Sequence, residues 1–187
     1  MLPMVTNSIA AKSDVVLSDL GPLAWVHNEL CKSLEAATKS LKRFAKEAED
    51  ARGSDLAAAD TSQLRAARQQ FHQAVGVLEV VGLREPAMVL RAMESAIQKF
   101  VQQPELCSQD AVAKIEYASF ALTEYLEGVL ADKPFSAVSL FPQYRNVQEL
   151  VRADRIHPAD LWAYEWRWLE PEVPLVDAHA YDDDARE

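Results

Sequence analysis

Glycine is scarce in this chain, with five among 187 residues, and none is grouped into a loop that could cradle a phosphate. A P-loop or a dinucleotide fingerprint is thereby excluded. So few glycines, with little β-branched alternation, also argue against a sheet protein. Cysteine is rarer still. Cys31 and Cys107 stand alone, without metal-ligand spacing, and read as idle thiols of a reducing cytoplasm. Basic charge is in deficit: 19 lysines and arginines face 29 carboxylates, a net charge of -10. With no basic stripe, neither nucleic acid nor an anionic membrane is an expected partner. No charged n-region precedes a long apolar run, and no stretch approaches a membrane span, so the chain is read as cytoplasmic. The residues call for no cofactor, no metal and no small-molecule substrate.

The acidity is uneven. From Ala163 to the end there are eight acidic and two basic residues, so that segment holds -6 of the charge. The remainder is ordinary for a domain of this size, and 49% hydrophobic residues supply ample core for one domain with tails. Residues 1–17 are small and aperiodic and read as a disordered tail; 18–153 read as a helical bundle. Residues 154–170, with Trp162, Trp166 and Trp168, form an aromatic arm expected to dock on the bundle or on a neighbour. Residues 171–187 read as a solvated acidic linker leading into something longer.

Within the bundle the apolar residues recur at steps of three and four. Ser18-Asp19 offers a cap and Pro22 suits a first turn. Leu23, Val26, Leu30, Leu34, Ala37, Leu41, Phe44 and Ala48 then form a stripe ending near Gly53. Glu47, Glu49 and Asp50 lie on its polar face and read as solvation, and His27 as a boundary residue. After a linker over 53–62, capped by Asp60-Thr61-Ser62, a second stripe runs through Leu64, Ala67, Phe71, Ala74, Leu78 and Val81 to a stop at Gly82. Glu85-Pro86 opens a third helix with Val89, Leu90, Met93, Ile97, Phe100 and Val101 inward. Pro104 breaks it. Ser108 caps a fourth, whose apolar content is Val112, Ile115, Ala118, Phe120, Leu122, Leu126, Val129 and Leu130. A fifth starts at Ser136, with Pro142 kinking it or setting its real start. Short polar breaks between helices are what an antiparallel bundle needs. His157, before a proline and without companion ligands, reads as structural.

The second helix carries the candidate chemistry. His72 sits one residue past the stripe, so its imidazole faces the flank, toward water. Gly76 lies one turn on. A glycine there costs about 1 kcal/mol relative to alanine, which suggests that a partner approaches the bare backbone. Imidazole is a good nucleophile near pH 7, because its ordinary pKa is about 6.5. Gln69, one turn before, is placed to orient the ring. Arg68 and Arg65, one and two turns back, can balance a phosphoryl group, whereas Glu79 opposes one.

His72, Gly76, Gly82 and Leu83 together resemble the signature of histidine phosphotransfer (HPt) domains. The likeness runs on through Leu83-Arg-Glu-Pro-Ala-Met-Val-Leu-Arg-Ala-Met-Glu94, where Met93 and Glu94 occupy the family's Leu-Glu pair. Two positions depart from it: Val75 replaces a lysine that in the family helps balance phosphate charge, and Arg91 stands where many members have a second histidine. The matching core covers about 35 residues. The long first helix, Glu124-Tyr-Leu-Glu-Gly-Val-Leu-Ala-Asp-Lys-Pro134 and the acidic end are similar to the N-terminal HPt-like domains of CheA-type hybrid kinases of chemotaxis and type IV pilus control. The resemblance implies an all-α, antiparallel four-helix bundle with an additional helix, phosphorelay signalling through His72, and a receiver or histidine kinase domain as partner. No kinase site is present in the sequence itself. Two other readings stay open, a degenerate module that docks a receiver or kinase without chemistry and a structural dimerisation bundle.

Overall fold

A computed structural model describes residues 20–50, 61–133 and 136–162. The expected tail, the Ser18-Asp19 cap, the linker from Gly53 to Asp60, Trp166, Trp168 and the acidic end lie outside the described residues. Those described form five α-helices and no strand: α1 (Gly21–Asp50), α2 (Ser62–Val80), α3 (Arg84–Gln102), α4 (Gln109–Leu130) and α5 (Phe141–Val151). Short 3₁₀ turns at Pro104–Leu106, Ala137–Leu140 and Pro158–Leu161 join or follow them. Among the described residues no helix is long and apolar enough to cross a membrane.

Each helix begins and ends for a local reason. Pro22 falls in the first turn of α1, where its missing N–H breaks no helical bond. Ser108 has the extended backbone of a cap, and its hydroxyl accepts from the Ala111 N–H at 3.2 Å. Thr61 does not do the same for α2. Its backbone is already close to helical (φ -78°, ψ 7°), so the hydroxyl is not turned toward the first free N–H groups. Pro142 does not kink a helix, because the 3₁₀ turn from Ala137 runs directly into α5 and leaves the proline in the first helical turn.

The end of α2 matters most. Gly82 has φ +87°, its N–H donates to Glu79 O at 3.0 Å, and the Leu83 N–H donates to Leu78 O at 2.9 Å. This crossed pair of bonds closes the last carbonyls and reverses the chain. Leu83 then packs against the core, and α3 starts one residue later. So short a link makes α2 and α3 an antiparallel hairpin.

The stripes read from the sequence meet in one core. In α1, Leu23, Leu30, Leu34, Ala37, Leu41 and Phe44 are buried; in α2, Leu64, Ala67, Phe71, Ala74, Val75 and Leu78; in α3, Val89, Leu90, Met93, Ile97 and Phe100. Helix α2 lies between α1 and α3, and α1 packs also on α4. Helices α3 and α4 touch less extensively, because α5 sits against both. The buried Ser119 hydroxyl on α4 donates to Met93 Sδ on α3 at 3.6 Å.

Phe120, though apolar, is 67% exposed, because the buried line of α4 is Val112, Ile115, Ala118, Ser119, Leu122 and Leu126, and Phe120 points away from it. Within the described part of the aromatic arm, Leu161 is buried while Trp162 is 46% exposed. The folded body therefore continues past residue 153. There His157 Nδ1 accepts from the Ala159 N–H at 3.0 Å, and Asp160 Oδ2 accepts from the His157 N–H at 3.0 Å. This reciprocal cap is the structural role expected of His157. His27, beside its stripe, contacts Cys31 Sγ through Nε2 at 3.5 Å.

Two outcomes follow from the packing. Phe71 is fully buried, and Phe71→Ala should lower the unfolding free energy by about 3–5 kcal/mol in urea titrations. Burial pushes the Cys107 thiol from 9.0 up to about 12. Between those values the unfolded chain releases a proton that the native chain keeps, so stability falls as pH rises through this window. Cys107→Ala should flatten that slope in denaturation curves recorded from pH 8.5 to 11 or so.

Candidate functional site

His72 lies on the side of α2 that faces α3. Arg68, His72, Val75 and Glu79 fall at steps of four, three and four, one line along the helix. On α3, Arg91, Glu94 and Gln98 fall at steps of three and four, and the antiparallel hairpin sets the two lines side by side. Between them runs an open groove of about 600 Å³, lined also by Gly76 and Ser95.

The imidazole of His72 is 65% exposed, and its Nδ1 is 3.1 Å from Glu94 Oε1, which is only 20% exposed. Since a carboxylate accepts, this contact is a hydrogen bond donated by Nδ1–H. The Nε2 lone pair is then left for the open side of the ring. Glu94 thus has the orienting position that the sequence suggested for Gln69. Gln69 is exposed, is not among the groove-lining residues, and makes no hydrogen bond to the ring. Arg65 is exposed too and stands outside the groove. Arg68 lines it.

Val75 is a core residue. It is 5% exposed and forms the floor of the groove, because α2 is buried on two flanks, against α1 and against α3. A cation introduced there has to run its stem outward before its charge reaches water. Gly76 is open: a Cβ added to it meets nothing within 4 Å. Packing inside the chain therefore does not require glycine at this place.

Glu79 does not face the histidine as a bare charge. Arg91 Nη2 donates to Glu79 Oε1 across the groove, with side chains 60% and 40% exposed. An exposed pair of this kind is worth about 0.2–1 kcal/mol, so it holds the guanidinium loosely. Arg68 and Arg91 balance Glu79 and Glu94, and the groove is neutral when the ring is neutral. Arg91, Glu94, Ser95 and Gln98 are the lining residues that the reading of α2 by itself missed. Their spacing on α3 was visible in the sequence, but their partners were not.

Among the described residues no group of three or more histidine, cysteine or carboxylate side chains is placed to hold a metal ion. Compared with protein-family models, with curated proteins and with solved structures, the chain matches none.

Gly76→Ala should raise stability by about 0.5–1 kcal/mol, read as a higher urea midpoint, since a methyl group fits and the helix gains propensity. His72→Gln should change stability by no more than about 0.5 kcal/mol, as for an exposed side chain. For the ring itself, ¹⁵N NMR should find the proton on Nδ1 in the neutral wild type and a mixture of tautomers in Glu94→Leu. Equal tautomer populations in both would rule out the assigned hydrogen bond.

Proposed function

We propose that this chain is an HPt-like phosphorelay domain: an antiparallel four-helix bundle of α1 to α4, extended by α5, in which His72 accepts a phosphoryl group. The observation that carries the reading is the pinned, exposed imidazole. Its Nδ1 is held by Glu94 at 3.1 Å, beside a glycine that nothing inside the chain requires. The joint spacing of His72, Gly76, Gly82 and Leu83 adds to it. The likeness of the long first helix, of residues 124–134 and the helix after them, and of the acidic end to CheA-type kinases suggests a place in chemotaxis or type IV pilus signalling, with a histidine kinase or receiver domain as partner.

The chemistry asks little of the acceptor. The Nε2 lone pair attacks phosphorus of the donor, an ATP γ-phosphoryl or an aspartyl phosphate, and the P–N bond forms as the donor P–O bond breaks. The leaving ADP or carboxylate takes that electron pair. The ring becomes cationic in the process, and Glu94 stabilises it through the Nδ1 proton. The donor domain brings nucleotide or magnesium. The open backbone at Gly76 lets that domain come within the distance that in-line attack needs.

One observation favours a second reading. An apolar, buried Val75 stands where the family has a lysine. A module that only docks a receiver or kinase has no use for that cation.

With a cognate kinase and ATP, or a phosphorylated receiver, the domain should gain one phosphoryl group that is labile in acid, stable in base and absent from His72→Gln. Autoradiography after acid and alkali treatment, with mass spectrometry of the modified peptide, reads this directly. Binding of a receiver without labelling supports the docking module instead. Absence of both leaves a structural bundle.

A further inference from the structure

The groove contains a cation that the likeness to HPt domains does not supply. Arg91 comes from α3, not from the acceptor helix, and it is tied to Glu79 rather than free. The hairpin register decides where it stands. Glu94 meets His72 and, one turn earlier on α3, Arg91 meets Glu79. The Arg91–Glu79 pair therefore crosses the groove on the far side of Gly76 from the imidazole. Between ring and ion pair the α2 surface is bare, since Gly76 has no side chain and nothing lies within 4 Å of where one would be.

We infer that this gap is the berth of the phosphoryl group, and that Arg91 exchanges Glu79 for the phosphoryl oxygens once His72 is modified. The inference rests on the phosphoacceptor reading and deepens it. Three observations carry it. Arg91 and His72 line the same groove, and Arg91 stands about one helical turn along α3 from Glu94, which holds the ring. The pair that restrains Arg91 is exposed and weak, whereas a guanidinium and a phosphoryl group form short, charge-assisted and often bidentate hydrogen bonds. With a neutral ring the groove carries no net charge, so a phosphoryl group makes it anionic and gives the arginine a stronger partner than one carboxylate. Arg91 thus acts as a positioning residue for the product. Glu79 sets its resting place and, after exchange, faces the phosphoryl group unpaired, which shortens the life of the modified state.

Phosphoramidate, a small chemical donor, tests this on the intact chain without any protein partner. It should label the exposed His72 in the wild type, followed by ³¹P NMR. Arg91→Gln should speed loss of the label by about two- to fivefold, Arg91→Lys should recover part of that, and Glu79→Gln should slow it by a similar factor. In the Arg91→Gln background, Glu79→Gln should do less than in the wild type, because the coupling between them is then gone. Labelling should also move the Arg91 Nε–H resonance and leave that of Arg65 in place. Equal lifetimes in all variants, an unmoved Arg91 resonance, or refusal of His72 to be labelled at all overturns the exchange. If phosphoramidate labels His72 and the exchange is seen while no kinase or receiver does so, the phosphorelay reading fails and the groove chemistry stands.

Discussion

The reversal at Gly82 is the constraint on which the site depends. A left-handed residue at φ +87° closes the last turn of α2, and α3 begins two residues later. That link fixes the register of the hairpin, and the register alone decides that Glu94 reaches His72 and Arg91 reaches Glu79. A side chain at this φ is strained whatever space surrounds it. Slippage of α3 by one turn along α2 would leave the imidazole without its carboxylate and Arg91 without its partner.

Burial then gives the two helices their rigidity. Helix α2 is covered on one flank by α1 and on the other by α3, and the floor of the groove, Val75, is part of the same core as Phe71 and Leu78. The polar residues at the rim are restrained less, and the Arg91–Glu79 pair is solvent-exposed and weak. The groove thus combines apolar packing below with loosely held charges above.

Some residues follow the sequence pattern and others depart from it for identifiable reasons. Most of the stripe residues of α1, α2 and α3 are buried, since three- and four-residue steps have one geometric outcome on a helix, while Val26, Ala48, Val81 and Val101 toward the helix ends are only partly so. Phe120 is exposed because α4 has apolar residues on more than one side, and hydrophobicity does not say which side meets the core. Thr61 has the right chemistry for a cap but the wrong backbone, and within the described part of the arm Leu161 is buried while Trp162 stays 46% exposed. In each case residue type was readable, and direction was not.

The same division holds for the site. From the sequence came the helix, the flank position of His72, the glycine beside it, the stop at Gly82 and the likeness to HPt domains, because all of these depend on near neighbours along the chain. Which carboxylate holds the ring, whether Glu79 stands bare, and whether position 75 faces water depend on residues about 12 to 22 places away. Only the packing of α3 on α2 could decide them. A helix fixes angles among its own side chains, but contacts across a hairpin are set by register and by the burial of both faces at once.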